Sequence, residues 1–559
     1  MTGKAWSLHH FCPERRSSLR LYRFATRYRA TLPTENLDAL FRRYGPAYRW
    51  LATITCVMGA MTGGLASTTV NVAFPDLMGA FGLGRDQAQL LSTGYFASQT
   101  LGMLLSAWMI KAFGERIANI VALSLFLLGA AMSGLAIDTA TLIVGRVTQG
   151  VSAGVLQPLG MAVVFSVFPE GRKSLSMGIF ATGMVIAPTL GPTLGGLAID
   201  IFNWRYIFLL TLPSAFAAMV LSAFFLPSRP TPRFLPKFDF LGVALLAAAL
   251  VGLLLGFSYG QRLGWTSNDI LILFAVGTTG CIGFIYRQVT IAEPLVNLKL
   301  FTNMQFTAAA LIAFFTECAF LSSTIMLPLF VQQIQGFTPL HSGLLLVPSG
   351  LLMLVLFPIS GRLGDIIPAQ YLVYAGLLSY SLSFALMATM DVNTPFWTVV
   401  IFTLFMRAGS AFTRPVTNAT ALSSLPKDQI HQGSSSLNFT RKLGGAVGAN
   451  AVIVFLELRI PFHGNAFVSL QTSFNQTSRE LREAIVHLFT EAGVPEVARE
   501  PAALQFMGDV ILAQASTRGF QDAFAVLAVM AFLAIIPAIG MARMMKDLSV
   551  PAKVAKRIA

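Results

Sequence analysis

Residues 183–200 read GMVIAPTLGPTLGGLAID, a stretch that is apolar enough to lie in a membrane although it holds two prolines and four glycines. Small residues recur at every fourth position, and on a helix this spacing places them in one stripe: Gly183, Ala187, Gly191 and Gly195. A second stripe runs beside the first: Pro188, Pro192 and Gly196. Stripes of small residues let membrane helices pack closely, and proline removes a backbone hydrogen bond. We therefore expect a bent membrane helix with one tightly packed face.

The composition excludes a soluble protein. Of the 559 residues, 55% are hydrophobic and 11% are charged, whereas soluble domains carry about 25% charged residues. The net charge of +14 does not indicate nucleic-acid binding, because the positive residues stand in short blocks between apolar runs, as the positive-inside rule requires. The chain is therefore predicted to be a polytopic membrane protein.

Apolar runs of roughly 20 residues, the length that crosses the hydrocarbon of a bilayer, occur about fourteen times. They lack the alternation of strands, and in lipid only helices and closed barrels satisfy the backbone, so we predict helices. The approximate centres of these runs are Thr62, Leu101, Phe126, Gly154, Val185, Ala215, Ala248, Ala275, Ala319, Leu351, Ser381, Ser410, Val447 and Val529.

Basic residues predict the orientation in the membrane. The tails at 1–50 and 546–559 are rich in Arg and Lys, and so are alternate connections. To one connection we assign Lys427, Arg441 and Lys442. We expect the chain to lie in the inner membrane of the cell. By the positive-inside rule, both termini are expected on the cytoplasmic side. Two termini on the same side require an even number of spans. The mixed-charge stretch 459–518 then faces outward as a long, partly helical connection.

The stretch APTLGPTLGG at 187–196 resembles the fifth-helix antiporter motif of the major facilitator superfamily. Six further stretches are similar, in the same order, to motifs of its fourteen-helix drug/proton antiporters and their EmrB-type branch: LASTTVNVAFP (65–75), WMIKAFGER (108–116), GRVTQGVSAG (145–154), EPLVNLKLF (293–301), LPLFVQQIQGFTPLHSGLLLVPSG (327–350) and SSSLNFTRKLGGAVGAN (434–450). Seven motifs in order are specific to the family, though not to a substrate.

This resemblance implies an all-α fold of two six-helix bundles with two inserted helices and a central cavity that opens to alternate sides. It implies a first bundle at 51–227, a linker with the two extra helices at 228–300 and a second bundle at 301–545. In that setting the glycine- and proline-rich helix is implied to be a hinge that seals and pivots against the other bundle.

Ionisable residues inside predicted spans cost about 2.5–3.5 kcal/mol each to insert and so point to a site. Arg146 and Gln149 lie one turn apart in the fourth span. The resemblance implies an arginine beside the proton path that holds a hydrogen-bond network, and a structural arginine satisfied by backbone carbonyls is the alternative.

The family's first-helix motif carries an acid directly after its leucine, where this chain has Ala66. The resemblance therefore does not supply the acid that couples protons.

Glu317 in the ninth span is our candidate for that acid, since it has no charged neighbour within a helical turn of its own sequence. The alternatives are a protonated acid bonded to a neighbouring helix and a carboxylate that lines the drug cavity. Arg407 and Arg414 are seven residues apart in the twelfth span and share a face. They either bind an anionic substrate or partner Glu317, and Arg414 has the further alternative of reaching the cytoplasmic interface.

Neutral polar residues at membrane depth are candidates for the cavity wall, although each also has a packing role available: Thr68, Asn71, Gln157 and Asn418. The sequence contains no Walker motif and no metal-type histidine cluster, so we expect neither a cofactor nor a metal. No nucleophile–base pair is evident, so we do not expect an enzyme.

The leading hypothesis is a proton-coupled exporter of lipophilic or amphipathic toxic compounds. EmrB-type members often work with a periplasmic adaptor and an outer-membrane channel, so such a partner is a further expectation for the stretch 459–518. One alternative is a dedicated exporter of a single metabolite, such as a siderophore or an antibiotic, which the two buried arginines favour if the metabolite is anionic. The other is a transport-inactive scaffold on the same fold.

Overall fold

The computed structural model describes residues 36–228, 236–471 and 475–543, and within these ranges the chain forms helices and no strands. The predicted all-α class is therefore confirmed. The basic tail predicted at 1–50 lies mostly outside the described ranges, and the tail at 546–559 lies outside them entirely. The helices are α1 Leu37–Tyr44, α2 Tyr48–Val72, α3 Phe74–Phe81, α4 Arg85–Gly134, α5 Thr139–Val167, α6 Lys173–Ile201, α7 Tyr206–Leu209, α8 Leu212–Phe225, α9 Phe240–Leu263, α10 Asn268–Thr290, α11 Met304–Gln333, α12 Pro339–Leu344, α13 Val347–Ile366, α14 Ala369–Met387, α15 Phe396–Ser423, α16 Ile430–Leu470, α17 Gln476–Glu491 and α18 Glu496–Leu533.

Each of the fourteen predicted span centres lies in one of these helices. Twelve stretches of the described chain are long and apolar enough to cross a membrane. One of them, Leu90–Gly134, contains two predicted spans, because α4 is broken at Gly114, whose φ of +76° suits glycine. The predicted span around Ser381 lies in α14, which is not among the twelve.

Two six-helix bundles result: the first holds α2, both halves of α4, α5, α6 and α8, and the second holds α11, α13, α14, α15, α16 and α18. Helices α9 and α10 are the inserted pair, and the exact domain boundaries at 51–227, 228–300 and 301–545 stay a prediction.

The helix ends gather at two faces of the molecule. We call the face at which α2 begins and the described chain ends the terminal face. There the Arg116 backbone N–H donates to the Pro227 carbonyl at 3.2 Å, and the Tyr374 hydroxyl donates to the Ala538 carbonyl at 3.5 Å. The short helices α3 and α7 and the helix α17 lie at the opposite face, where the chain turns between spans.

The stripe of small residues on α6 packs against α2 of its own bundle. A Cβ added to Gly183 would lie 2.1 Å from the Val57 side chain, and one added to Gly191 would lie 2.0 Å from the Thr68 hydroxyl oxygen. Pro188 lies on the exposed side of α6, as Pro192 does. The close packing of these two helices therefore depends on the absence of side chains along one stripe.

A different part of α6 meets the second bundle. The Asp365 carboxylate on α13 accepts hydrogen bonds from the backbone N–H groups of Ser174 at 2.8 Å and Leu175 at 3.0 Å, so it caps the start of α6 from across the interface. A Cβ on Gly178 would lie 2.4 Å from the Phe357 carbonyl oxygen. The helix thus meets the second bundle through its first turns, whereas its stripe of small residues packs on α2. Its role as a hinge stays a prediction.

Helix α16 makes a second set of contacts between the bundles. The Ser434 hydroxyl donates to the Pro158 carbonyl at 2.8 Å, and His431 Nε2 lies 3.1 Å from Glu115 Oε1. These contacts and the Asp365 cap all lie on the terminal half of the helices. The two bundles are therefore closed against each other at the terminal face.

The inserted helices α9 and α10 form a close-packed hairpin. A Cβ on Gly252 would lie 2.6 Å from the Gly277 backbone nitrogen, so the two backbones touch without intervening side chains. At its terminal end the buried Asp239 carboxylate pairs with Arg287 and accepts from the Gly242 backbone N–H, which caps α9. The pair packs on α4 and α16 through an apolar cluster that includes Leu104.

The stretch 459–518, predicted as a partly helical connection, is helical over most of its described length. Helix α16 has 41 residues, which corresponds to about 60 Å and so to twice the hydrocarbon thickness. It therefore projects beyond the opposite face, and α18 returns from the same projection. Helix α17 packs on α18 through Ile485, Ala503 and Met507. Asp522 ties α16 to α18 at the base through Arg459 at 2.6 Å and His463 at 2.7 Å.

Candidate functional site

Charged side chains gather near mid-depth in the second bundle. Glu317, the fourteenth residue of the 30-residue helix α11, is only 9% exposed. Its carboxylate Oε2 lies 2.8 Å from a terminal guanidinium nitrogen of Arg414 on α15. The sequence leaves open whether Arg414 binds a substrate, pairs with Glu317 or reaches the cytoplasmic interface. In the structure it pairs with Glu317. The guanidinium group turns inward and does not extend towards the terminal face.

An aromatic ring supports both predicted arginines of α15. The guanidinium carbons of Arg407 and Arg414 lie 4.4 Å and 4.1 Å from the centroid of the Phe320 ring, within the range of a cation–π interaction. Phe320 follows Glu317 by one turn of α11. Arg407 is 8% exposed and makes no hydrogen bond within the described chain, and its Nε is buried without an acceptor.

Arg441 and Lys442 correct the sequence-based assignment of these residues to a connection. Both lie inside α16, eleven and twelve residues after its start at Ile430, and both interact electrostatically with Glu317. The physical reason is simple: a span of roughly 20 residues around Val447 already includes both positions. Four cations therefore surround one carboxylate in this part of the chain.

Polar contacts connect the cluster to the first bundle. The Arg441 guanidinium donates to the amide oxygens of Asn418 and Asn438, the latter at 3.2 Å. The Gln157 side chain on α5 donates to the same Asn438 oxygen at 3.2 Å. The Lys442 ammonium lies 5.5 Å from the ring centroid of Phe96 on α4. The candidates Gln157 and Asn418 thus belong to a network that spans the bundle interface.

Arg146 forms a separate cluster in the first bundle. It is 1% exposed, and one of its terminal nitrogens donates to the Ala66 carbonyl at 3.0 Å and to the Gln149 amide oxygen at 3.1 Å. Its guanidinium carbon lies 4.2 Å from the ring centroid of Tyr95, whose hydroxyl donates to the Gly63 carbonyl at 2.7 Å. The backbone of Ala66 therefore accepts from this arginine at the position where the family motif has a carboxylate.

The structure does not join the two clusters. No contact among the described residues links Arg146 or Gln149 to Glu317, Arg407 or Arg414.

Thr68 faces the glycine stripe of α6 and donates to carbonyls of its own helix at 3.3 Å. Asn71 lies in α2, and its side chain lies outside the described part of the structure. Within the described chain, no group of three His, Cys, Asp or Glu residues is suited to a metal ion.

The sequence pattern of residues 56–449 matches the family model of the Major Facilitator Superfamily, which covers well over half of the chain. The chain belongs to the major facilitator superfamily. This assignment agrees with the fold described above and with the seven motifs quoted from the sequence.

Several curated members of the superfamily are similar over most of their length. An uncharacterized MFS-type transporter of Bacillus subtilis strain 168, YhcA, is 31% identical over 411 residues, which cover 73% of this chain and 77% of the relative. The lincomycin resistance protein LmrB of Listeria monocytogenes is 28% identical, with 72% and 85% covered. The multidrug export protein EmrB of Escherichia coli K12 is 27% identical, with 77% and 85% covered. The predicted EmrB-type relationship is confirmed.

Solved structures of the superfamily share the fold. The human organic anion transporter MFSD10 superimposes with a TM-score of 0.58 at 15% identity, and the alignment covers 88% of this chain and 99% of that one. The proton:xylose symporter XylE superimposes with a TM-score of 0.58 at 13% identity, with 89% and 96% covered. At such low identity these likenesses concern the fold alone.

Some residues of the site carry no signal that sequence reasoning used. Phe320 and Tyr95 are two of 45 Phe and 11 Tyr, and only their contacts with arginines distinguish them. Asn438 and Lys442 lie in the stretch 434–450, which resembles a superfamily motif, so that motif was the available pointer to this part of the site. Chemically, the central cluster offers one carboxylate, several cationic donors and an aromatic surface.

Proposed function

We propose that this member of the superfamily exports lipophilic or amphipathic compounds across the inner membrane in exchange for protons, by alternating access. The observation that carries the proposal is the buried Glu317–Arg414 pair at 2.8 Å. A carboxylate buried among apolar spans is costly unless it is paired and functional. The similarity to the multidrug export protein EmrB and to the lincomycin resistance protein LmrB supports export of foreign compounds.

Glu317 takes the role of the acid that Ala66 does not supply. In its charged form the carboxylate pairs with Arg414, and in its protonated form it releases the arginine. A proton taken up from one side would therefore change the central charge by one unit. Arg146 cannot exchange a proton in this scheme, because its guanidinium stays charged and is held by the Ala66 carbonyl and Gln149.

The second element of the proposal is the movement between two states. The described structure has the bundles closed at the terminal face, through the Asp365 cap on α6 and the His431–Glu115 pair. With both termini in the cytoplasm, as we propose, the bundles are closed on the cytoplasmic side. The other state requires these contacts to part, and α6 with Pro188 and Pro192 is the helix that we propose moves as the hinge.

The projection formed by α16, α17 and α18 lies at the opposite face and so on the outer side in the proposed orientation. We propose that it docks a periplasmic adaptor, which in turn meets an outer-membrane channel. Its exposed apolar residues, including Leu481 and Leu488, support a protein contact.

Transport in liposomes tests the coupling acid. Purified protein is reconstituted with an imposed pH gradient, lipophilic compounds are added, and the lumenal pH is followed with a dye. We expect at least one compound to collapse the gradient in the wild type. Glu317→Gln should lose this activity by more than about a hundredfold, because it removes the exchangeable proton.

The matched control is Glu293→Gln, which neutralises a half-exposed carboxylate paired with Lys111 at 2.9 Å on the terminal face. It should transport as the wild type does. Full activity of Glu317→Gln would remove Glu317 from the coupling role. Proton movement in neither the wild type nor the control, across cationic, neutral and anionic compounds, would favour the scaffold hypothesis instead. A single anionic metabolite as the only active compound would favour the dedicated exporter.

A further inference from the structure

The central cluster carries more positive than negative charge. Arg407, Arg414, Arg441 and Lys442 are four cations, and Glu317 is the carboxylate with which they interact, so the excess is three. Among the described residues, no second carboxylate is part of these interactions. Such an excess within a membrane protein is unfavourable, and an anion from outside the chain would compensate it.

The arginines of this cluster differ in the acceptors that lie beside their guanidinium groups. Arg414 is paired with Glu317, and Arg441 is bound by the oxygens of Asn418 and Asn438. Arg407 is more than nine-tenths buried, and yet it has no hydrogen bond and its Nε has no acceptor. An unsatisfied buried donor is costly. Arg407 lacks a hydrogen-bond acceptor among the described residues, and the Nε of Arg414 shares this lack although the Glu317 carboxylate lies beside that arginine.

An apolar surface lies directly beside the open donor. The Phe320 ring contacts the guanidinium groups of both α15 arginines. It also packs with Met353 and Phe357 of α13, and these residues meet Ala181 and Val185 of the hinge helix. Met353 and Phe357 are themselves buried, so an occupant would meet the partly buried Phe320, Ala181 and Val185. It would thereby touch both bundles, with its charged end at the arginines.

We propose that the substrate of this site is an organic anion, such as an aromatic carboxylate, whose acid group binds Arg407 and whose apolar body lies on Phe320. The inference rests on the proposed export function and names its substrate class. Glu317 then has a second effect, since its negative charge beside Arg414 opposes a bound anion. A cationic compound would instead meet three unbalanced positive charges.

Binding of matched probes to the intact protein tests this inference. The probes share one aromatic body and differ in charge: naphthylacetate, the uncharged naphthylacetamide and a naphthylmethyl trimethylammonium ion. Binding to the protein in nanodiscs is measured by calorimetry. We expect naphthylacetate to bind roughly tenfold more tightly than either other probe, the difference that one charged hydrogen bond supplies.

Two variants are expected to change the affinity for naphthylacetate in opposite directions. Arg407→Gln should weaken naphthylacetate binding by roughly tenfold and leave naphthylacetamide unchanged. Glu317→Gln should tighten naphthylacetate binding, because it removes the competing negative charge. The matched control, Lys111→Gln, removes a cation at the terminal face and should change neither. Size-exclusion profiles establish that each variant is folded, and if Arg407→Gln is not, Glu317→Gln decides.

Equal binding of the three probes, absence of naphthylacetate binding, or weaker binding to Glu317→Gln would each overturn the inference. The outcomes are distinct from those of the proton assay. Proton-linked transport of neutral or cationic compounds without a preference for the anion would refute the anion site alone. Charge-selective binding without any proton movement would refute proton coupling alone.

Discussion

Each bundle buries an arginine against an aromatic ring, but the two arginines differ in their acceptors. Arg146 lies on Tyr95 and donates to the Ala66 carbonyl and the Gln149 amide, while its other terminal nitrogen has no acceptor among the described residues. Arg407 lies on Phe320 and has no acceptor within the described chain. The first arrangement is that of an arginine that ties helices together, and the second is that of one awaiting a ligand.

Arg146→Lys tests the first of these roles. Lysine keeps the charge, but its single ammonium group cannot reach the Ala66 and Leu91 carbonyls and Gln149 together. We expect a loss of stability of about 1–3 kcal/mol, seen as a lower apparent melting temperature in detergent. Arg205→Lys is the control, because Arg205 also stacks on an aromatic ring, Trp204 at 4.3 Å, but lies partly exposed. A larger loss in the control than in Arg146→Lys would contradict the tying role.

The sequence identified ionisable residues at membrane depth, but it could not identify their partners. Glu317 and Arg414 are 97 positions apart, and only the packing of α11 on α15 shows that they meet at 2.8 Å. Arg441 and Lys442 were misassigned because charge near the start of an apolar run looks the same in a sequence whether it lies in a loop or in the first turns of a helix. Hydropathy averages over a span and does not resolve its end.

At the scale of helices, glycines set the distance between α6 and its neighbours. The spacing of Gly183, Gly191 and their companions was sufficient to predict a close approach, because on a helix a spacing of four is a geometric fact. It was not sufficient to predict which helix would approach, and the partner is α2. The fourteen span centres were predictable for a similar reason, since lipid forces each long apolar run to be helical.

Gly178→Leu should separate α6 from α13 at the terminal face. A Cβ at this position would meet the Phe357 carbonyl oxygen at 2.4 Å, and a backbone atom cannot move aside as a side chain can. We expect spin labels at positions 172 and 362 to move apart and turnover to fall about tenfold, as a shift of ~1.4 kcal/mol between the two states would produce. Gly171→Leu is the matched control, because a Cβ there has nothing within 4 Å. Unchanged label distances in Gly178→Leu would contradict the closed contact.

For the molecule as a whole, the transport core and the projection are built from the same helices but not from the same apolar clusters. The core clusters lie within the bundles, whereas Ile485, Ala503 and Met507 form a small cluster of their own on α17 and α18. Helix α16 carries Arg441 near its start and the projection near its end. A partner bound at the projection is therefore connected to the central site by one continuous helix.

The combined change Leu481→Glu and Leu488→Glu tests whether the projection serves a partner and not transport itself. These residues are 44% and 64% exposed and seven positions apart, so they share a face of α17, and this face lies beside the position of Ile485. We expect proton exchange in liposomes to remain that of the wild type, because no bundle contact is altered. In cells with two membranes, we expect drug resistance to fall at least about tenfold, because two charges on an apolar contact remove several kcal/mol of binding. Arg479→Ser with Glu483→Ser, on the same helix, leaves the apolar face intact and should preserve resistance. If drug resistance survives both pairs of changes, export does not depend on a partner at α17. If proton exchange in liposomes is lost, the projection belongs to the transport mechanism itself.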